Sequence, residues 1–161
     1  MGGTEVKQMA PQGPLRVLYT AEAMAVGGRD GHAKTSDGRL EVDLDVPSEL
    51  GGSGGPGTNP EQLFACGYGA CFHNALEGVA RRAKVSIEGS SVTARVGFGP
   101  IGEGRFGLTV ELRINLPGID QTTAENLVAG AHDRCPYSNA TRNNIPVELT
   151  IVEGTEPMIE Q

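Results

Sequence analysis

Hydrophobic and polar positions repeat along this chain with two different periods. Leu40, Val42, Leu44 and Val46 alternate with Arg39, Glu41, Asp43 and Asp45, the period of two that turns one face of a β-strand to the core and the other to water. Phe106, Leu108, Val110, Leu112 and Ile114 repeat that pattern inside 105–116. Between them, residues 59–75 form the longest nearly continuous apolar run. Asn59 can cap free backbone N–H groups there, and Pro60 suits a first helical position, where no N–H is needed. The run predicts a helix ending near Arg82. Leu63, Ala70 and Ala75 line one side and Phe64, Cys71 and Val79 fill much of the rest, so the helix is expected to be buried on most sides.

The other elements follow from turn signals. Val17, Tyr19 and Val26 predict a strand over 15–26, broken by Gly27-Gly28-Arg29-Asp30-Gly31. Residues 32–36 return as a second strand and Asp37-Gly38 marks a hairpin into the third, giving a three-stranded meander. Pro47 ends it, and the glycine-rich 51–57 stretch is a connector. Strands are predicted over 85–98 and 105–116 as an antiparallel pair. Thr122 with Glu125 forms a capping-box signature for a second helix reaching about Arg134. Pro136 disfavours helical geometry at Cys135, so that thiol should close the helix. A helical turn over 138–144 and a short strand through Val147, Leu149 and Ile151 complete an α+β order. Residues 1–14 read as a flexible tail and 15–161 as one domain.

Composition narrows the functional classes. A chain of 161 residues fits one domain with a real core, and its formal charge of -7, without a basic stripe, argues against nucleic acid. No apolar run is long enough to span a bilayer, and the first residues lack the pattern of a signal peptide, so no membrane partner and a cytoplasmic location are expected. There, Cys66, Cys71 and Cys135 are expected to be reduced, catalytic or metal-bound rather than structural crosslinks. The 51–57 loop lacks the Gly-Lys-Ser/Thr ending of a phosphate cradle. His132 and Cys135 are three apart, the best case for zinc, but Pro136 takes Cys135 out of the helix and no Cys-x-x-Cys pair anchors a site. No metal and no cofactor are expected.

Four stretches together carry a likeness. Gly27-Gly28-Arg29-Asp30-Gly31, Asn59-Pro60-Glu61-Gln62-Leu63-Phe64-Ala65, Ala70-Cys71-Phe72 and Cys135-Pro136-Tyr137-Ser138-Asn139-Ala140-Thr141-Arg142 resemble, in the same order, the organic hydroperoxide resistance family of the OsmC-like superfamily. The resemblance implies an intertwined homodimer with antiparallel sheets around buried central helices. It also implies a thiol-dependent peroxidase reduced by a lipoyl-type dithiol or lipoylated protein. Cys66 departs from the family pattern, where a small apolar residue is usual.

The residues supply their own logic. Cleaving an O–O bond needs an ionised, soft nucleophile, and a buried thiol ionises only beside a cation. Cys71 is the expected attacking thiol and Cys135 the second thiol that condenses with its sulfenic acid. Arg29, in its glycine-rich turn, is the expected cation, and Glu61 would hold the guanidinium by a bidentate contact. Glu61 and Cys71 are ten residues apart, however, so on one unbroken helix they lie ~15 Å apart along the axis and roughly 80° apart in rotation. Either the helix breaks at Gly67 or Gly69, or Glu61 serves Cys71 of a second chain whose helix runs antiparallel. Phe64, Tyr68, Phe72 and Tyr137 are expected to line an apolar entrance for an organic hydroperoxide, and Tyr137, Ser138 and Asn139 to fasten the Cys135 loop. Cys66, about 140° from Cys71, is expected to fill core. The competing reading is a non-enzymatic dimer that binds a small ligand or metal, with cysteines as sensors.

Overall fold

A computed structural model describes residues 13–153. All but the last two residues of the expected 1–14 tail fall outside that range, as do residues 154–161.

Strands β1 (Ala23–Val26), β2 (His32–Thr35) and β3 (Glu41–Asp43) form the expected antiparallel meander, with Val26 opposite His32 and His32 opposite Asp43. The predicted first strand is cut short: residues 15–22 run outside any strand, and Leu15, Val17, Leu18 and Tyr19 are all exposed. A β-prone sequence makes a strand only where a neighbour completes its hydrogen bonds, and among the described residues that pairing reaches no further back than the Glu22 carbonyl, which accepts from the Ser36 N–H at 2.9 Å.

Helix α1 (Pro60–Ala83) is continuous and starts where expected: the Asn59 side chain accepts a hydrogen bond from the Gln62 N–H at 2.8 Å, and Pro60 takes the first position. It lies on β4 (Ser91–Gly102), the first strand of a second sheet with order β4-β5-β6. The predicted start of β4 at 85 is corrected to Ser91, because residues 85–90 carry a turn closed by Ser90 N–H onto the Ile87 carbonyl, with Gly89 at φ +79°. β5 (Arg105–Asn115) pairs antiparallel with β4, as expected. β6 (Val147–Val152) pairs with β5 in parallel, so this sheet is mixed rather than wholly antiparallel.

A parallel neighbour requires a crossover, and α2 (Gln121–Arg134) with α3 (Pro136–Thr141) provides it. The α2 cap is Asp120, which accepts from the Thr123 N–H at 3.0 Å, rather than Thr122. Either residue could start the helix, but a carboxylate is the stronger acceptor at a positive helix end. Pro136 does end α2: Cys135 has extended geometry, φ -64° and ψ 123°. α3 begins two residues earlier than the predicted turn over 138–144.

The core joins Tyr68, Phe72, Leu76 and Ala80 of α1 to Val110, Leu112 and Ile114 of β5 and to Ala124, Leu127, Val128 and Ala131 of α2. Each large apolar side chain here stabilises the fold by roughly 1.5–3 kcal/mol. α1 is covered on most sides, as expected, but one face is open in this chain. Gln62, Cys66, Ala70, Asn74, Glu77 and Arg81 form an exposed stripe along it, at the spacing of one helix face. Cys66 therefore points to solvent instead of filling the core.

Asn59→Ala should remove the α1 cap and cost about 1 kcal/mol, lowering Tm by roughly 2–4 °C in a domain of this size. Thermal melts followed by circular dichroism would read the shift, and an unchanged Tm would show that the cap contributes nothing.

Candidate active site

Two pairs of residues are brought together, and both are tied to α1. At its N-terminal end, Arg29 Nη1 and Nη2 donate to the Glu61 carboxylate at 2.8 and 2.6 Å, a bidentate pair. Arg29 arrives on a single 3-10 turn, Gly28–Asp30, entered through Gly27 and Gly28 at φ +76° and +61°, backbone that other residues rarely adopt. Its guanidinium also lies over the Phe98 ring, 4.8 Å from the centroid, and Phe98 is stacked on Phe106 at 5.1 Å. Phe98 thus fixes one face of the cation while Glu61 fixes its edge. Sequence reasoning missed Phe98. Its strand pattern marks an inward residue but does not show that the residue it faces is an arginine.

This pairing sets the charges. The hydrogen bonds from Arg29 hold the Glu61 carboxyl below its ordinary range, partly opposed by burial, and the same contact raises the Arg29 guanidinium. Beside them a cleft of about 390 Å³ is lined by Pro47, Leu50, Ala65, Val96 and Phe98, with Glu61 at its edge. A larger cleft, about 670 Å³, lies against Asp30, Asp43 and Asp45. No thiol lines it, and Asp30 and Asp45 are already engaged by the Val46 and Gly57 N–H groups.

The second pair sits further along α1. Cys71 Sγ is 3.6 Å from Cys135 Sγ, across 64 positions of sequence. Cys135 is fully buried and Cys71 partly so. Burial pushes the Cys71 thiol up; the Tyr137 backbone N–H, at the start of α3, works against that, and Cys135 adds to it. α1 does not break at Gly67 or Gly69, so Glu61, which grips Arg29, stands ten residues and ~15 Å along the helix axis from Cys71.

The four expected entrance residues divide. Tyr68 and Phe72 are completely buried and belong to the core, so they offer no face to an entering ligand. Phe64 is part-buried and Tyr137 is 39% exposed. Their rings pack at 6.0 Å, with Tyr68 behind them at 5.9 and 5.6 Å. Gly67 makes room for this cluster, since a Cβ there would lie 2.8 Å from the Tyr137 hydroxyl. Of the residues expected to fasten the Cys135 loop, Ser138 is buried and bonded to Tyr68 and His132, and the Asn139 N–H donates to the Cys135 carbonyl at 2.9 Å. His32 lies on the wet face of β2 between Asp43 and Glu41, and His73 bonds Ser90.

Known proteins resemble this chain over most of its length. The family described as OsmC-like protein matches residues 51–150. The organic hydroperoxide resistance protein of Xanthomonas axonopodis pv. citri is 55% identical over 139 residues, covering 86% of this chain and 97% of that protein. OhrB of Bacillus subtilis, an organic hydroperoxide resistance protein, is 43% identical over 83% of this chain and 98% of its own length. Among solved structures, an organic hydroperoxide resistance protein from Legionella pneumophila superposes with TM-score 0.81 at 50% identity, covering 84% of this chain and 98% of that one. One from Elizabethkingia anophelis gives 0.83 at 48%, covering 87% and 100%. The chain belongs to the OsmC-like family. Within it, the likeness over nearly the full length of these relatives places it in the organic hydroperoxide resistance branch.

Because its folded pKa is depressed, Glu61 contributes stability that is present above the ordinary carboxylate range near pH ~4.3 and lost as pH falls through the lower folded value. Carbonyl-detected NMR should show Glu61 titrating below the exposed glutamates, and Arg29→Ala should return it to their range. A Glu61 titration unmoved by that substitution would mean that the ion pair does not set its charge.

Proposed function

We propose that this protein is a homodimeric cysteine peroxidase that reduces organic hydroperoxides to alcohols, with Cys71 attacking and Cys135 resolving. The observation that carries this reading is the 3.6 Å approach of two sulfurs from α1 and the α2–α3 junction. A bonded pair needs roughly 2.05 Å, so a contraction of about 1.5 Å closes the disulfide. The Cys71 thiolate attacks one peroxide oxygen, the O–O bond breaks, and the alkoxide leaves as alcohol after taking a proton. Cys71 is left as sulfenic acid. The Cys135 sulfur then attacks it, hydroxide departs as water, and the resulting disulfide is returned to two thiols by exchange with an external dithiol of lipoyl type.

The thiolate requires a cation that its own chain does not deliver. An unbroken helix puts Glu61, and with it Arg29, ~15 Å from Cys71 along the axis. A second copy with an antiparallel α1 brings its Arg29–Glu61 pair to this Cys71 and receives the same in return, two equivalent sites about a two-fold axis. The open face of α1 and the exposed 15–19 segment are the surfaces such a partner covers. Arg29 then stabilises the thiolate and the leaving oxygen, Glu61 orients Arg29, and Phe64 and Tyr137 stand at the entrance to the sulfur. No helix among the described residues is long and apolar enough to cross a membrane, consistent with action in the cytoplasm.

Purified protein with cumene hydroperoxide and dihydrolipoamide should consume peroxide, and Cys71→Ser should abolish consumption. Absence of turnover, or an unaffected Cys71→Ser, would leave the ligand-binding reading instead. Arg29→Ala should shift Cys71 alkylation to higher pH, and an unchanged profile would remove Arg29 as the activator. Crossed sites make a sharper claim: refolding Cys71→Ser with Arg29→Ala protomers as an equal mixture should restore about a quarter of full activity, since half the dimers carry one intact site. Sites built from one chain would restore none.

A further inference from the structure

Behind Cys135 lies a buried polar chain that the chemistry above does not use. The Tyr68 hydroxyl is 2.7 Å from Ser138 Oγ and 3.2 Å from Thr141 Oγ1. Ser138 Oγ is 2.8 Å from His132 Nδ1, and Thr141 Oγ1 donates to the Ser138 carbonyl at 3.2 Å. Tyr68 and Ser138 are both fully buried.

Each hydroxyl has one proton, and this fixes the direction of the chain. Thr141 spends its proton on the carbonyl, so it accepts from Tyr68. Tyr68 therefore accepts from Ser138, and Ser138 from His132, whose proton must sit on Nδ1. Burial and the nearby Arg142 charge lower the His132 pKa and favour the neutral ring. Arg142 also donates to the His132 carbonyl at 2.7 Å and to the Asn139 side chain. The result is a closed set of bonds joining α1, α2 and α3 at one hydroxyl.

Ser138 lies one turn beyond Cys135, on the short helix whose first N–H groups include that of Tyr137, the donor to Cys71. Whatever holds Ser138 holds Cys135 in place as well. We infer that Ser138, gripped by Tyr68 and His132, is a positioning residue that keeps Cys135 against Cys71 and so sets how fast the sulfenic acid closes to disulfide. The competing fate is reaction with a second hydroperoxide, in which the sulfur gains another oxygen to give sulfinic acid and a second alcohol leaves. This inference rests on the peroxidase reading.

The test separates the two steps. Tyr68→Phe removes one hydroxyl and keeps the ring; Ser138→Ala removes the junction. In single-turnover mixing with cumene hydroperoxide, loss of the Cys71 thiol should change less than about twofold, while disulfide closure slows by roughly fivefold in Ser138→Ala, the scale of a lost hydrogen bond. Intact mass should show a rising sulfinic fraction. Tyr68→Phe should fall between that variant and the wild type, and it covers the case in which Ser138→Ala fails to fold. Closure at the wild-type rate in the folded variants, or both steps slowed in equal proportion, would overturn the inference. Oxidation by diamide reads closure without peroxide, so if the wild type forms no sulfenic acid the peroxidase reading falls while the positioning role is still decided by relative diamide rates.

Discussion

A continuous α-helix behaves as a ruler, and in this protein the ruler decides how the chemistry is assembled. The 24 residues of α1 run without interruption, held by an Asn59 cap and by packing against β4 and α2, with Gly67 leaving room for Tyr137. That rigidity fixes the spacing between a carboxylate that grips an arginine and a thiol that faces a second thiol. Both pairs are well formed in one protomer, and the helix prevents them from meeting there.

Electrostatics sharpens the consequence. Burial raises the pKa of a thiol, and the Tyr137 N–H only partly offsets it at Cys71. Arg29 is occupied near the start of α1, clamped by Glu61 along its edge and by Phe98 on its face. Under the proposed reading, each copy of a dimer supplies the guanidinium that the other copy's sulfur lacks.

Much of this could be read from residue order, and the parts that could not share a physical cause. The α1 start, the end of α2 at Cys135, the meander and the β4–β5 pair are governed by local rules: caps, proline geometry and period-two alternation. The Arg29–Glu61 contact followed from charge and turn chemistry, and the rise per residue left two alternatives, a broken helix or a second chain, of which the continuous α1 removes the first. What escaped depends on distant partners. The early β-prone segment lacks a pairing strand, the parallel placement of β6 is set by a crossover, and Cys66 faces outward because α1 has one uncovered side. Tyr68 and Phe72 were expected at an entrance because an aromatic on an apolar helix gives no sign of which way it faces. Asp120 outcompeted Thr122 as a cap by a difference in charge that spacing rules do not weigh.

The parallel pairing of β6 with β5 carries one more implication. The segment that bears Cys135 is the bridge between these two strands, so it is tethered at both ends to the same sheet. In a growing or loosened polypeptide the two sulfurs are strangers, 64 positions apart, and packing of the bridging helices on α1 draws them together. In the proposed peroxidase, redox competence would thereby be contingent on finishing that docking: half-built molecules would contain the same cysteines but not the couple.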